Sequence, residues 1–369
     1  MHTIKTEVRG LPLYKMGVNK EMNNVLLLTD KLITGGAEMY FCKLENHLKD
    51  ENMTFYSAAA TGELYNQIHN KHQFIPLSLK NHFANLKTLS KEVYQKEIDV
   101  IHANSLRMLL YSIAIKKITR RKIKLVYTKH NVTILEKRMP LLFKKVLNQN
   151  VDQIIAVSNF EKENLLQFGV RKELIRTIYN GVDVEHFSFQ QLQPKETFNV
   201  GILARLSKEK NHELFIKIAN ELKDVPNVMF YIAGDGPERE IVEKMIKDLK
   251  LHHKVKLLGI ASNPYEFICN MDLLLLTSLR EVFPMVVLEA MATGTPIVSV
   301  DVGGIKEAVV DHETGVLISH HSEKEFAEKI RILHDDKSLR QRLGSKARQK
   351  VEKSFSLTNM IHSTLETYH

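Results

Sequence analysis

The chain has 369 residues, more than one hydrophobic core usually organises, so two domains are expected. Its formal charge of +9 belongs to the first half: residues 1–195 hold twenty-nine Lys and Arg against eighteen Asp and Glu, while the remainder is nearly balanced. No apolar run reaches the roughly 18 residues that span a bilayer, and the start lacks the apolar core of a signal peptide. The two cysteines, Cys42 and Cys269, fit no metal spacing and read as reduced thiols of a cytoplasmic protein.

Residues 1–22 read as a polar extension, with Met22 an alternative start. From residue 24 onward, strands alternate with helices. "NVLLLTD" is a strand and "GGAEMYFCKLENHL" a helix. "TFYSAAA" and "HQFIPLS" are strands, followed by a helix at about 84–97. "DVIHANS" precedes a helix at 106–118, and "KLVYTKHN" and "QIIAVSN" are separated by the basic helical stretch "KRMPLLFKKVLNQN". Repeated βα order implies a parallel sheet covered by helices on both faces. "QQLQPKETF", 190–198, is polar and aperiodic, and reads as a linker between a domain at 23–189 and one at 199–355. The alternation then restarts with "NVGILARL", helix 211–223, "VMFYIAG", helix 237–250, "VKLLG", "LLLLTS", helix 285–293 and "PIVSV". The close, 356–369, reads as one more helix. The fold class is therefore α/β, two facing Rossmann-like domains, and ligands belong in the cleft beyond the strands' carboxyl ends.

Four stretches border that cleft. In "TGGAEM", Gly35 and Gly36 let backbone amides approach an anion at a helix N-terminus, although a plain tight turn reads the same way. The dinucleotide pattern G-x-G-x-x-G is absent, which argues against an NAD enzyme. Arg205 and Lys210 follow a buried strand, where a guanidinium and an ammonium can hold a diphosphate. "AGDGPERE" is a glycine turn on the same edge. In "REVFPMVVLEAMATG", Pro284 suits a first helical turn and Gly294 its end. Glu281 then precedes the helix and Glu289 lies about one turn in. The amides of Met285 and Val286 point out of its N-terminus toward a phosphate, and Glu289 can accept from a ribose diol.

The spacing E-x₇-E in that segment resembles a known family. Together with "GGAE" (35–38), "DVIHANS" (99–105), "TKHN" (128–131), "AVSNFEKENL" (156–165), "YNGVD" (179–183), Arg205 with Lys210, and "GDGPERE" (234–240), it makes the chain similar to the GT-B retaining glycosyltransferases of family 4, the glycosyl transferases group 1, over residues 24–369. The resemblance implies a UDP-linked donor in the second domain. Arg205 and Lys210 would hold its diphosphate, Glu289 the ribose and Glu281 the sugar, with the backbone around Ile260 at the base. It places His102 beside the reacting sugar, with a lesser role for His130. Val282 and Pro284 replace the glycines many members carry there, in a Phe-Pro variant also familiar. It further implies transfer of a hexose or N-acetylhexosamine with retention, no metal or other cofactor, and a glycan or lipid-linked acceptor in bacterial surface polysaccharide synthesis. A final helix packing back on the first domain is expected.

Other readings are a small soluble acceptor, a UDP-sugar epimerase of similar fold, a non-catalytic sugar-nucleotide binder, and a nucleic-acid binder. Charge alone suggests the last, and no basic–aromatic motif supports it. The basic cluster Lys116, Lys117, Arg120, Arg121, Lys122 and Lys124 is either a solvated face or a dock for an anionic membrane on the inner face of the cell.

Overall fold

The computed structural model describes residues 23–191 and 196–369, so the extension expected at 1–22 and residues 192–195 of the linker lie outside the described residues. In the first half run strands β1 (Asn23–Lys31), β2 (Met53–Ala60), β3 (Phe74–Leu77), β4 (Val100–Ala103), β5 (Lys124–Lys129), β6 (Gln153–Ala156) and β7 (Ile175–Thr177). Between them lie helices α1 (Gly36–His47), α2 (His82–Gln95), α3 (Leu106–Thr119), α4 (Ile134–Arg138), α5 (Pro140–Asn150) and α6 (Asn159–Gln167). The strands pair in parallel, in the order β3-β2-β1-β4-β5-β6-β7. In the second half, β8 (Phe198–Leu203), β9 (Val228–Ala233), β10 (Val255–Gly259), β11 (Leu273–Leu276), β12 (Ile297–Val300) and β13 (Val316–Ile318) pair in parallel as β10-β9-β8-β11-β12-β13. Their helices are α7 (His212–Glu221), α8 (Arg239–Asp248), α9 (Pro264–Cys269), α10 (Met285–Thr293), α11 (Ile305–Ala308), α12 (Glu323–Asp335) and α13 (Lys337–Ser354), and α14 (Leu357–Leu365) closes the chain.

Helices cover both faces of each sheet, which is why the strands are largely apolar. All four leucines of β11 are buried. Successive side chains still part to opposite faces. In the first sheet Leu26, Ile101 and Leu125 join one core with α2, α3 and α5, while Leu27, Val100 and Val126 join another with α1. Leu357, Met360 and Ile361 of α14 enter that second core, so the end of the chain belongs to the first sheet. It returns beside the outgoing segment: Val182 donates to Phe355 O at 2.9 Å, and Leu357 donates back to Val182 O at 2.8 Å.

Strand order reverses beside β1 and β8, so each sheet opens a crevice at its carboxyl edge there. A buried charge cluster supports the first crevice. Lys129, the last residue of β5, is fully buried, with its ammonium 2.5 Å from Glu161 and 3.1 Å from Glu136. Glu136 also closes a capping box with Thr133, which fixes the start of α4. The basic stretch read as one helical run is two helices: Met139 leaves the helical region (φ −138, ψ 61) and Pro140 begins α5. No described helix is long and apolar enough to cross a membrane.

Candidate active site

The chain after β8 carries Arg205, which is exposed, and Lys210. Thr277, just beyond β11, donates to Lys210 O at 3.0 Å and ties the two segments together. Lys210 Nζ donates to Glu281 Oε1 at 2.5 Å, and Ser278 Oγ donates to the same oxygen at 2.7 Å. Glu281 is 8% exposed. Both phosphate and sugar candidates are thus already coupled. Glycines make this crowding feasible. Gly303 has φ +63, and a Cβ there would lie 1.7 Å from Glu281 O. Gly234 has φ +145, and its Cβ would lie 1.9 Å from Ala204 O, so the "GDGP" turn clamps the segment bearing Arg205.

Helix α10 starts at Met285. Pro284 is its N-cap (φ −74, ψ 132) rather than part of its first turn, and offers no side chain to the first amides. The amides of Met285 and Val286 therefore lack an intrahelical partner. Seven of the nine residues of α10 are buried, and the two that are not, Val286 and Glu289, are three apart on one face. This explains a carboxylate in so apolar a helix: the other faces are core and this one borders the cleft. Burial raises the Glu289 carboxyl above the usual range, opposed by the charges of Lys43 and His186.

Across the cleft, Gly35 is the N-cap of α1 in extended conformation, and nothing lies within 4 Å of where a Gly36 Cβ would sit. Glu38 in the first turn is raised by burial and feels Arg205 of the other half. Asn104 Nδ2 donates to Ala37 O at 2.7 Å, which fixes its amide. Its Oδ1 then accepts from His130 Nε2 at 2.8 Å. The proton of His130 is on Nε2, leaving Nδ1 as an acceptor, and burial pushes the imidazole down to about 3. His130 also sits edge-on to Tyr40, ring centroids 4.7 Å apart.

Residues 183–350 match the model of the glycosyl transferases group 1, and residues 34–186 that of Glycosyltransferase Family 4. The chain belongs to the group 1 glycosyltransferases. It is 28% identical to the N-acetyl-alpha-D-glucosaminyl L-malate synthase of Bacillus anthracis over 75% of this chain and 76% of that protein. It is 26% identical to the capsular polysaccharide biosynthesis glycosyltransferase CapM of Staphylococcus aureus, over 87% and 91%. The structure of Anabaena HepE in complex with UDP superposes with a TM-score of 0.81 at 23% identity, over 94% of this chain and 99% of that one, which establishes the GT-B fold.

One expectation for this glycosyltransferase is corrected by the geometry. His102 does not face the cleft. It lies on the α1 side of β4, 1% exposed, with Nδ1 2.7 Å from Tyr368 Oη and Nε2 2.6 Å from Thr128 Oγ1. Both nitrogens are used and burial pushes the ring down to about 3, so it is a core histidine. His130, half-buried at the carboxyl edge, is the one near Gly36. The basic cluster at 116–124 lies at the end of α3 and the start of β5, which is the amino edge of the sheet, away from the cleft. Lys116 lies 3.5 Å from Asp152 and Arg121 3.8 Å from Asp99, while Lys117, Arg120 and Lys122 are exposed and Lys124 is half-buried. Ile260, 61% exposed, borders a groove of about 450 Å³ that runs beside α9 to Asn199 and does not include Arg205 or Lys210. Among the described residues no group of His, Cys, Asp and Glu could hold a metal ion.

Sequence reasoning missed a clasp between the halves. Glu307 of α11 accepts from the amides of Asn159 (2.8 Å) and Phe160 (2.7 Å), the first two of α6, and from Tyr179 Oη at 2.8 Å. A carboxylate there satisfies a helix N-terminus of the other half. Asn180 Nδ2 donates to Phe283 O at 2.7 Å, and Lys43 of α1 donates to Gly181 O at 3.0 Å within the field of Glu289. In sequence, Glu307 is an ordinary acid on a four-residue helix.

Proposed function

We propose that the protein transfers a hexose or N-acetylhexosamine from a UDP-sugar to a glycan or lipid-linked acceptor of a bacterial surface polysaccharide, with retention and without a metal ion. One observation carries this: Arg205, Lys210, the open amides of α10, and the carboxylates Glu281 and Glu289 converge on one edge opposite Gly36. Two cations and a helix N-terminus suit a diphosphate leaving group, and Glu289 is available to a ribose diol. The UDP held by HepE and the polysaccharide synthesis named for CapM support the same reading, while the malate synthase supports the sugar transfer but names a small acceptor.

The protein's part is electrostatic. Arg205, Lys210 and the α10 amides stabilise the charge that grows on the departing diphosphate. Glu281, its Oε1 held by Lys210 and Ser278, positions the sugar through Oε2. Neutral His130 offers Nδ1 as an acceptor to the sugar or the incoming hydroxyl, the role first expected of His102. The leaving diphosphate takes the acceptor's proton on the face it leaves, so the anomeric configuration is kept. The test is UDP release from a panel of UDP-hexoses and UDP-N-acetylhexosamines with a lipid-linked acceptor, with and without EDTA, and NMR of the product's anomeric proton. An inverted product or loss of rate in EDTA overturns the corresponding clause. Conversion of the UDP-sugar without acceptor identifies an epimerase instead.

A further inference from the structure

The surface around α4 and α5 combines exposed apolar and basic side chains, as the start of α2 does on a smaller scale at Leu79, Lys80 and Phe83. Residues 137–142, "KRMPLL", are all exposed, as are Lys144 and Lys145. Ile134 is 74% exposed and Leu141 80%, with Met139 and Leu142 open as well. The fold does not need them outside or inside: α5 is anchored by Phe143 and Leu147, both fully buried. Glu136, the one acid between Lys116 and Lys145, is turned inward and consumed by Lys129 and by the capping box. The outer face of this hairpin therefore combines large apolar side chains with four cations and carries no exposed carboxylate. Its place matters too. It follows Lys129 and His130 at the carboxyl edge of β5, so it forms the lip of the cleft on the side opposite the donor cluster.

We infer that this hairpin docks the enzyme on an anionic lipid bilayer. The inference rests on the lipid-linked acceptor of the proposed function and names the surface that would deliver it. Leu141, Met139 and Ile134 would enter the headgroup–acyl boundary while Lys137, Arg138, Lys144 and Lys145 meet lipid phosphates. Apolar burial and charge together give reversible interfacial binding where either alone is marginal. The amino-edge cluster at 116–124 offers less: part of it is ion-paired, and it would turn the cleft away from the membrane.

The experiment is co-sedimentation with vesicles of phosphatidylcholine alone or with 30% phosphatidylglycerol as the probe (about one anionic lipid in three), at low and raised salt. The wild type should bind only the anionic vesicles, and less as salt screens the cations. Lys137→Gln with Arg138→Gln should weaken binding at least tenfold, at roughly fivefold per cation. Met139→Ser with Leu141→Ser should weaken it comparably. Arg120→Gln, Arg121→Gln and Lys122→Gln together should leave it within about twofold. The hairpin side chains are outside the core, so melting midpoints of the hairpin variants should match the wild type, and UDP affinity by calorimetry should be unchanged. The inference is overturned if binding survives both hairpin variants, is lost in the amino-edge variant, is equal on neutral vesicles, or is absent at low salt. It is overturned equally if the leucine face proves to hold a self-dimer that Leu141→Ser dissolves. Intact UDP binding in those cases would leave the glycosyltransferase reading standing with a soluble acceptor; loss of UDP binding in the wild type would instead sink the donor site.

Discussion

Removing Lys210 should cost more than removing Arg205, and the excess should come back when Glu281 is neutralised. Arg205 is exposed, so Arg205→Ala forfeits one charge-assisted contact to a diphosphate, about 1.5–3 kcal/mol, or roughly 10- to 150-fold in the Kd for UDP. Lys210→Ala forfeits a similar contact and a second partner as well. Its ammonium sits 2.5 Å from Glu281, which is only 8% exposed. Without it, a nearly buried carboxylate faces the phosphates unopposed. Two like charges about 4 Å apart at an effective dielectric near 20 repel by about 4 kcal/mol, and partial solvent access leaves roughly 1–2 kcal/mol of that. Lys210→Ala should therefore weaken UDP about tenfold more than Arg205→Ala. Lys210→Ala with Glu281→Gln should bind about tenfold better than Lys210→Ala alone, a coupling within the range for side chains in direct contact. Titration calorimetry with UDP on the four proteins of the cycle measures it. Additivity within twofold would refute the reasoning, because Glu281 would then not share the phosphate field.

Lys129→Met should destabilise the first half by about 3–5 kcal/mol, since it leaves Glu136 and Glu161 buried together without a cation; a melting midpoint within one or two degrees of wild type would contradict this. His130→Ala should lower turnover with UDP affinity intact, whereas His102→Ala should act on the melting midpoint by stranding Tyr368 and Thr128; the reverse pattern would return the role to His102. Glu307→Gln should loosen the clasp on α6, seen as a larger radius of gyration in solution scattering and a raised KM for donor, and an unchanged radius would show that the halves are held otherwise. Burial raises the Glu289 carboxyl, and the diol needs the ionised form. UDP affinity should thus fall as pH drops through that raised pKa, above the ordinary 4.5, and Glu289→Gln should remove the step. The same shift means the folded chain binds a proton more readily than the unfolded one, so the contribution of Glu289 to stability is larger below the window and declines as pH rises through it.

Features that depend on neighbours along the chain were legible without a structure. The βα alternation gave two parallel sheets because an apolar run of four to six residues flanked by glycines and polar residues has few other uses. The end of α10 follows from the glycine at 294, and the face that Glu289 shares with Val286 from helical period. The short strands β7 and β13, three residues each, carried too little pattern to be seen. Contacts distant in sequence separate the two histidines. Both stand near carboxyl ends of strands and beside α1, but His102 lies within β4, where Tyr368, 266 residues away, caps it, whereas His130 follows the end of β5. The clasp of Glu307 on α6 spans about 148 residues and leaves no local trace. Charge behaved the same way. The stretch from Lys116 to Lys145 is one basic run in sequence, yet β5 carries its two ends to opposite edges of the sheet, and burial of Glu136 decides which end shows cations without acids. Periodicity fixes which face a side chain takes; what covers that face is set by segments far along the chain.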